Sequence, residues 1–160
     1  MTDRRKDALE LVREIRATPE QVFRALTDPE ELMKWLGAKG MLTRAHVNLR
    51  PGGEYRLEFL SPEGDAAWVK GQYQVVEPPR RIVKTWFKSK FPDLRNTVEF
   101  RLEPLPGGTR LTLIHSGLAG RPEAVEDYEK GWPDVLGRLL VWAAALAGFI
   151  AANRPDSKEG

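Results

Sequence analysis

The sequence predicts an α+β fold in which one long C-terminal helix lies across a curved antiparallel sheet of about six or seven strands. Two observations carry this. Seven stretches with strand-like patterning, punctuated by turns, precede a single apolar helix from about Pro122 to Asn153. Between Leu42 and Ser116 apolar residues recur at every second position, and in the final segment at every third or fourth, the periods of a half-buried strand and an amphipathic helix. One helix over a broad curved sheet is hard to pack solid, so a pocket is expected between them. The layout points to a binding container more than to identifiable chemistry.

Ala8 to Ala17 sets Leu9, Leu11, Val12 and Ile15 among charges and reads as the first strand. Two helix starts of one design follow. Thr18-Pro19-Glu20-Gln21 places a hydroxyl at the N-cap, proline at the first helical position and glutamine at the third, and Asp28-Pro29-Glu30-Glu31 repeats the plan with a carboxylate cap. Each cap satisfies amides that the helix leaves unpaired, and proline loses no hydrogen bond there. Val22, Phe23 and Leu26, then Leu32, Met33, Trp35 and Leu36, give the two short helices apolar faces suited to closing one end of the sheet.

Pro51-Gly52-Gly53, Ser61-Pro62-Glu63-Gly64 and Pro106-Gly107 read as turns, because proline fixes one central dihedral and glycine permits a positive one. Pro78-Pro79 ends a strand, since neither residue can donate to a ladder. Tyr55, Leu57 and Phe59 face one side, opposite Glu54, Arg56 and Glu58; Val69, Gly71, Tyr73 and Val75 alternate with Trp68, Lys70, Gln72 and Gln74. Between Arg81 and Lys88 two inner sets stay open: Val83, Thr85 and Phe87, or Ile82, Lys84 and Trp86. Val98, Phe100 and Leu102, then Leu111, Leu113 and His115, complete the inner face. This alternation argues for an antiparallel meander with one wet face, on which Glu54-Arg56-Glu58 and Glu99-Arg101-Glu103 are solvated charge with cross-strand pairing.

The terminal helix carries Val125, Tyr128, Trp132, Leu136, Leu139 and Trp142 on one stripe. Gly131-Trp132-Pro133 is expected to restart or kink it, with Gly137 a turn further on. A bend there would lift the helix off the sheet and make room beneath. From Leu139 to Ala152, Phe149 and Ile150 included, the chain is apolar nearly all round. Either the two N-terminal helices cover it or a second subunit does, and the second arrangement is a homodimer through the C-terminal helix.

With no repeat and no linker, one domain is expected over residues 8–153, with disordered tails at 1–7 and 154–160. A net charge of +2, from 25 basic and 23 acidic residues spread along the chain, lacks the basic stripe of a nucleic-acid binder. The absence of cysteine excludes disulfides and thiolate metal sites and fits a reducing compartment. The first residues have no apolar core of a secretory signal, and the longest apolar run falls short of the ~20 residues that cross a bilayer. A cytoplasmic location without a membrane span is therefore expected. Two isolated histidines supply no zinc spacing, no serine sits on a Gly-x-Ser-x-Gly elbow, and the glycine pairs are hairpin turns rather than phosphate loops. No catalytic residue, metal or cofactor is assigned.

Several segments, in this order and spacing, carry a resemblance: Arg16-Ala17-Thr18-Pro19-Glu20-Gln21-Val22-Phe23 with Thr27-Asp28-Pro29; Arg50-Pro51-Gly52-Gly53; Gly71; Thr85-Trp86; Thr109 to Leu118 (TRLTLIHSGL); and Gly131-Trp132. Together they resemble the activator of heat-shock-protein ATPase homologue family. That family belongs to the SRPBCC superfamily of START lipid-transfer domains, pollen-allergen-like ligand binders and polyketide cyclases. The resemblance covers about residues 8 to 150. It implies a helix-grip (START-like) fold with a deep apolar cavity between sheet and helix, and it implies no reaction.

In such a cavity the candidate ligand-binding residues are Tyr55, Leu57, Tyr73, Trp86, Phe100, Trp132, Leu136 and Leu139. The tyrosine hydroxyls and His115 would orient a small hydrophobic or aromatic molecule. The plainer alternative is that these side chains fill the core and His115 is a neutral, hydrogen-bonded histidine within it. Two other functions stay open. One is a cyclase- or hydrolase-type enzyme using His115 or a tyrosine as its acid–base group; the other is a stress-response or chaperone-interacting module.

Overall fold

The computed structural model describes residues 7–36, 42–61 and 63–152. Residues 1–6 of the tail expected at 1–7, the tail expected at 154–160, the side chains of Phe149 and Ile150, and Pro62 of the second turn lie outside the described residues. In chain order come β1 (Ala8–Ile15), α1 (Pro19–Thr27), α2 (Pro29–Trp35), β2 (Leu42–Val47), β3 (Glu54–Leu60), β4 (Ala66–Glu77), β5 (Arg81–Lys88), β6 (Phe91–Leu105), β7 (Gly108–Ser116) and α3 (Pro122–Ala152). Among the described residues the sheet has seven strands in the order β1-β7-β6-β5-β4-β3-β2, and every neighbouring pair is antiparallel. The meander thus runs from β2 to β7, and the first strand closes it by pairing with the last. This is the helix-grip arrangement, with α3 across the inner face.

The helix caps follow the sequence. Thr18 Oγ1 accepts the Gln21 amide at 3.1 Å while Gln21 Oε1 accepts the Thr18 amide at 2.9 Å, a complete capping box. Asp28 caps α2 by accepting the Glu30 amide at 2.9 Å and also ends α1, its own amide donating to the Arg24 carbonyl. The Trp35 indole donates to the Ala25 carbonyl at 2.9 Å and ties α2 to α1. Met33, expected on the apolar face, is instead exposed; it neighbours Leu32 and lies roughly 100° round the helix from it.

Three details of the sheet depart from simple alternation. A bulge between Tyr73 and Val75 shifts the register of β4, so Val76, opposite Ile82, packs on the core in place of the expected Val75. On β5 the set Ile82, Lys84 and Trp86 faces α3, while Val83 and Thr85 on the other face are buried as well. β6 begins at Phe91, earlier than its alternation suggests, and tolerates Pro92 because β7 pairs with β6 only from Thr97 onward.

Gly71 marks a tight approach of β4 to β5. A Cβ there would lie 2.1 Å from the Thr85 carbonyl oxygen. The same carbonyl accepts the Tyr55 hydroxyl at 2.7 Å, and Thr85 Oγ1 accepts the Gln72 amide at 2.8 Å. A side chain at position 71 would prise β4 and β5 apart at this point.

α3 runs unbroken from Pro122 to Ala152 with Pro133 inside it, so the expected restart at Gly131-Trp132-Pro133 does not occur. Pro133 lies on the exposed side, where its ring meets water and the lost hydrogen bond does not end the helix. Ala124, Tyr128, Trp132, Leu136, Leu139 and Ala143 form the buried stripe. Between Leu140 and Gly148 the helix is covered on one side only: Trp142 and Leu146 share a groove with Gln21, Arg24, Glu31 and Lys34, while Val141 is 71% exposed. Among the described residues no helix is long and apolar enough to cross a membrane.

Candidate functional site

The inner face of the sheet and the first half of α3 do not close completely on one another. A cavity of about 370 Å³ remains between them. Its far end is formed by Leu26 of α1 and Leu32 and Trp35 of α2; Leu57 and Phe59 of β3, Val69 of β4 and Phe100 of β6 line the sheet side. Tyr128, Gly131, Trp132 and Val135 form the roof. Gly131 presents no side chain, so the helix leaves space at the point where its stripe crosses the sheet. Ser61, Asp65 and Lys88 stand among the lining residues as its polar members near the β3–β4 turn and the end of β5.

One cation lies deep in this wall. Lys84 is 5% exposed, and its Nζ stands 4.4 Å from the ring centre of Tyr55, 5.6 Å from Trp86, and 5.7 Å from both Tyr73 and Phe100. Four aromatic faces within about 6 Å attract an ammonium through their quadrupoles. Among the described residues no carboxylate or other acceptor pairs with this Nζ. Burial lowers the Lys84 pKa to about 8, because the charged form has lost its water. Lys88, by contrast, has a carboxylate partner: its Nζ reaches Asp127 at 2.9 Å, with Lys90 sharing the other carboxylate oxygen at 2.8 Å. Two further donors in the wall lack partners, the Trp86 indole N–H and the Tyr128 hydroxyl. The indole lies near enough to oppose the rise of the Tyr128 pKa, which burial takes to about 12, but the pair misses hydrogen-bond geometry.

His115 is fully buried beside the cavity, outside its lining. The Trp132 indole donates to Nδ1 at 2.9 Å, which leaves the ring proton on Nε2, facing Asn96 Oδ1 at 2.5 Å. The Asn96 amide donates to the Leu94 carbonyl at 2.9 Å, fixing which of its ends is the acceptor. Burial, and after it the nearby Lys88 charge, push the His115 pKa down to about 3. The ring is neutral and both nitrogens are engaged.

Of the residues named from sequence, Leu57, Trp86, Phe100 and Trp132 stand in the cavity wall. Tyr55 and Tyr73 lie behind it, their rings 5.4 Å apart and facing Lys84; the Tyr55 hydroxyl is committed to Thr85. Leu136 and Leu139 are buried further along α3, outside the wall. Lys84 is the residue that pattern alone leaves undistinguished; its signal is a lysine at every-second-residue spacing between Ile82 and Trp86. Among the described residues no group of three or more His, Asp or Glu side chains could hold a metal ion.

A seven-stranded antiparallel sheet gripping one long helix, with two short helices after the first strand, defines the class: a helix-grip domain. The chain belongs to the family described as Activator of Hsp90 ATPase homolog 1-like protein, which matches residues 16–143. It is similar to a solved protein from Rhodobacter sphaeroides at 30% identity, covering 88% of this chain and 93% of that one with a TM-score of 0.75. The AHSA1 protein of Silicibacter pomeroyi is similar at 30% identity, over 88% and 97% of the two chains and a TM-score of 0.72. A Chromobacterium violaceum protein is similar at 31% identity, over 85% and 96% and a TM-score of 0.72. No curated protein matches the chain.

Proposed function

We propose that this protein holds a small hydrophobic molecule in the cavity between its sheet and α3. The carrying observation is the cavity itself, about 370 Å³ and walled by Leu57, Phe59, Phe100, Trp132 and Val135, within the range of roughly 300–1,000 Å³ typical of ligand pockets. The engaged nitrogens of His115 weigh against the cyclase- or hydrolase-type alternative, which would use that ring as its acid–base group. A cytoplasmic location belongs to the same proposal, supported by the cysteine-free sequence.

The test is titration with the neutral fluorophore N-phenyl-1-naphthylamine, together with native mass spectrometry of protein purified from its own cells. Saturable binding of one probe per chain, or a co-purifying small molecule, is expected. Absence of both removes the container reading. The homodimer through α3 rests on the exposed Val141; a monomer mass in sedimentation equilibrium at 100 µM removes it. The family description favours a second reading, a chaperone-interacting module, which predicts stimulation of an Hsp90 ATPase by the purified chain and falls if the rate is unchanged.

A further inference from the structure

The deep wall of the cavity carries a charge at Lys84 that has no ion-pair partner among the described residues. Lys84 brings a charge and three donors to it, Trp86 and Tyr128 each bring an unpartnered donor, and among the described residues no buried carboxylate answers them. The acids nearby are otherwise placed: Asp127 is taken by Lys88 and Lys90, and Asp65 lies on the exposed β3–β4 turn. A buried ion without a partner is costly, and aromatic faces return only part of its hydration. The missing partner is therefore an acceptor with a negative charge. One buried cation matches one negative charge; a dianionic phosphate would bring a second, unbalanced charge into an apolar space.

We infer that the cavity takes a hydrophobic monocarboxylic acid, its carboxylate held by the Lys84 ammonium and its apolar body lying against Leu57, Phe59, Trp132 and Val135. This rests on the container reading and names the class of molecule contained. The ammonium is the form present at neutral pH, since its pKa is about 8.

Competition against N-phenyl-1-naphthylamine tests this with decanoate, decan-1-ol and decylamine, which share a chain and differ in the headgroup. Wild type is expected to bind decanoate at least tenfold more tightly than decan-1-ol, and decylamine least. Lys84→Met should abolish the preference for decanoate while leaving decan-1-ol within threefold of wild type, and thermal melting shows whether the variant is folded. If the fluorophore and decan-1-ol bind but decanoate has no advantage in wild type, or keeps it in a folded Lys84→Met variant, the inference is overturned and the container reading stands. If no probe binds, both fall.

Discussion

The indole N–H of Trp132, in the first half of α3, donates to Nδ1 of His115 on β7 at 2.9 Å. This bond joins the gripped helix to the last strand of the meander and sets the tautomer of a histidine that water does not reach. Asn96 on β6 takes the other ring nitrogen, so one imidazole holds three elements in register.

Acid stability should report on this arrangement. An unfolded histidine takes up a proton below about pH 6.5, whereas the folded ring does so only near pH 3. Within that window the unfolded state binds more protons, so this contribution is present in full above about pH 6.5 and is lost as the pH falls. The slope is up to ~1.4 kcal/mol per pH unit. His115→Gln should flatten the slope while costing ~2 kcal/mol at pH 7 through its disturbed hydrogen bonds. Urea midpoints at pH 7, 5 and 4 measure both; equal slopes in wild type and variant would refute this assignment.

Lys84 should act at the opposite end of the pH scale. Its pKa falls from 10.5 to about 8 on burial, so between those values the unfolded chain binds a proton that the folded chain does not. Stability from this group therefore rises as pH climbs from about 8 to about 10.5, and below pH 8 the cost of burying the charge is fully present. Lys84→Met should stabilise the empty protein at pH 7 by on the order of 2–3 kcal/mol and remove the alkaline rise. A less stable variant would show that the four rings offset desolvation completely.

Gly71→Ala should cost ~3 kcal/mol or more, because its methyl would sit 2.1 Å from the Thr85 carbonyl oxygen that the Tyr55 hydroxyl also uses. Denaturant unfolding measures this directly. A loss below ~1 kcal/mol would mean that β4 and β5 separate here at little cost.

Val135→Phe should fill the roof of the cavity and weaken N-phenyl-1-naphthylamine binding at least tenfold, with a stability change under ~1.5 kcal/mol. Val141→Phe, on the exposed side of the same helix, is the control and should leave binding unchanged. Equal binding by both variants would place the probe outside this cavity.

Much of the fold was legible because its signals are local. Thr18 and Asp28 cap the short helices, Gly52 adopts the positive φ of 84° that its turn requires, and the alternation through Val98, Phe100 and Leu102 names the inner face of β6. Legibility failed where neighbours decide. The β4 bulge exchanges Val75 for Val76 through pairing with β5, and Pro133 stays within a continuous helix because it faces solvent. The candidate site was legible only in part: Leu57, Trp86, Phe100 and Trp132 reach the cavity, whereas His115 turns both nitrogens to protein partners.

The amino-acid sequence by itself determined the order of elements, their periods, their caps and most inner faces, because each depends on residues a few positions apart. Only the tertiary structure decided that β5 turns Lys84 inward, that four rings from β3 to β6 surround it, and that no carboxylate among the described residues answers it. The physical reason is that burial and electrostatic partnership belong to groups far apart in the chain. A lysine in an alternating strand reads as surface charge until the strands beside it and the helix above it are in place.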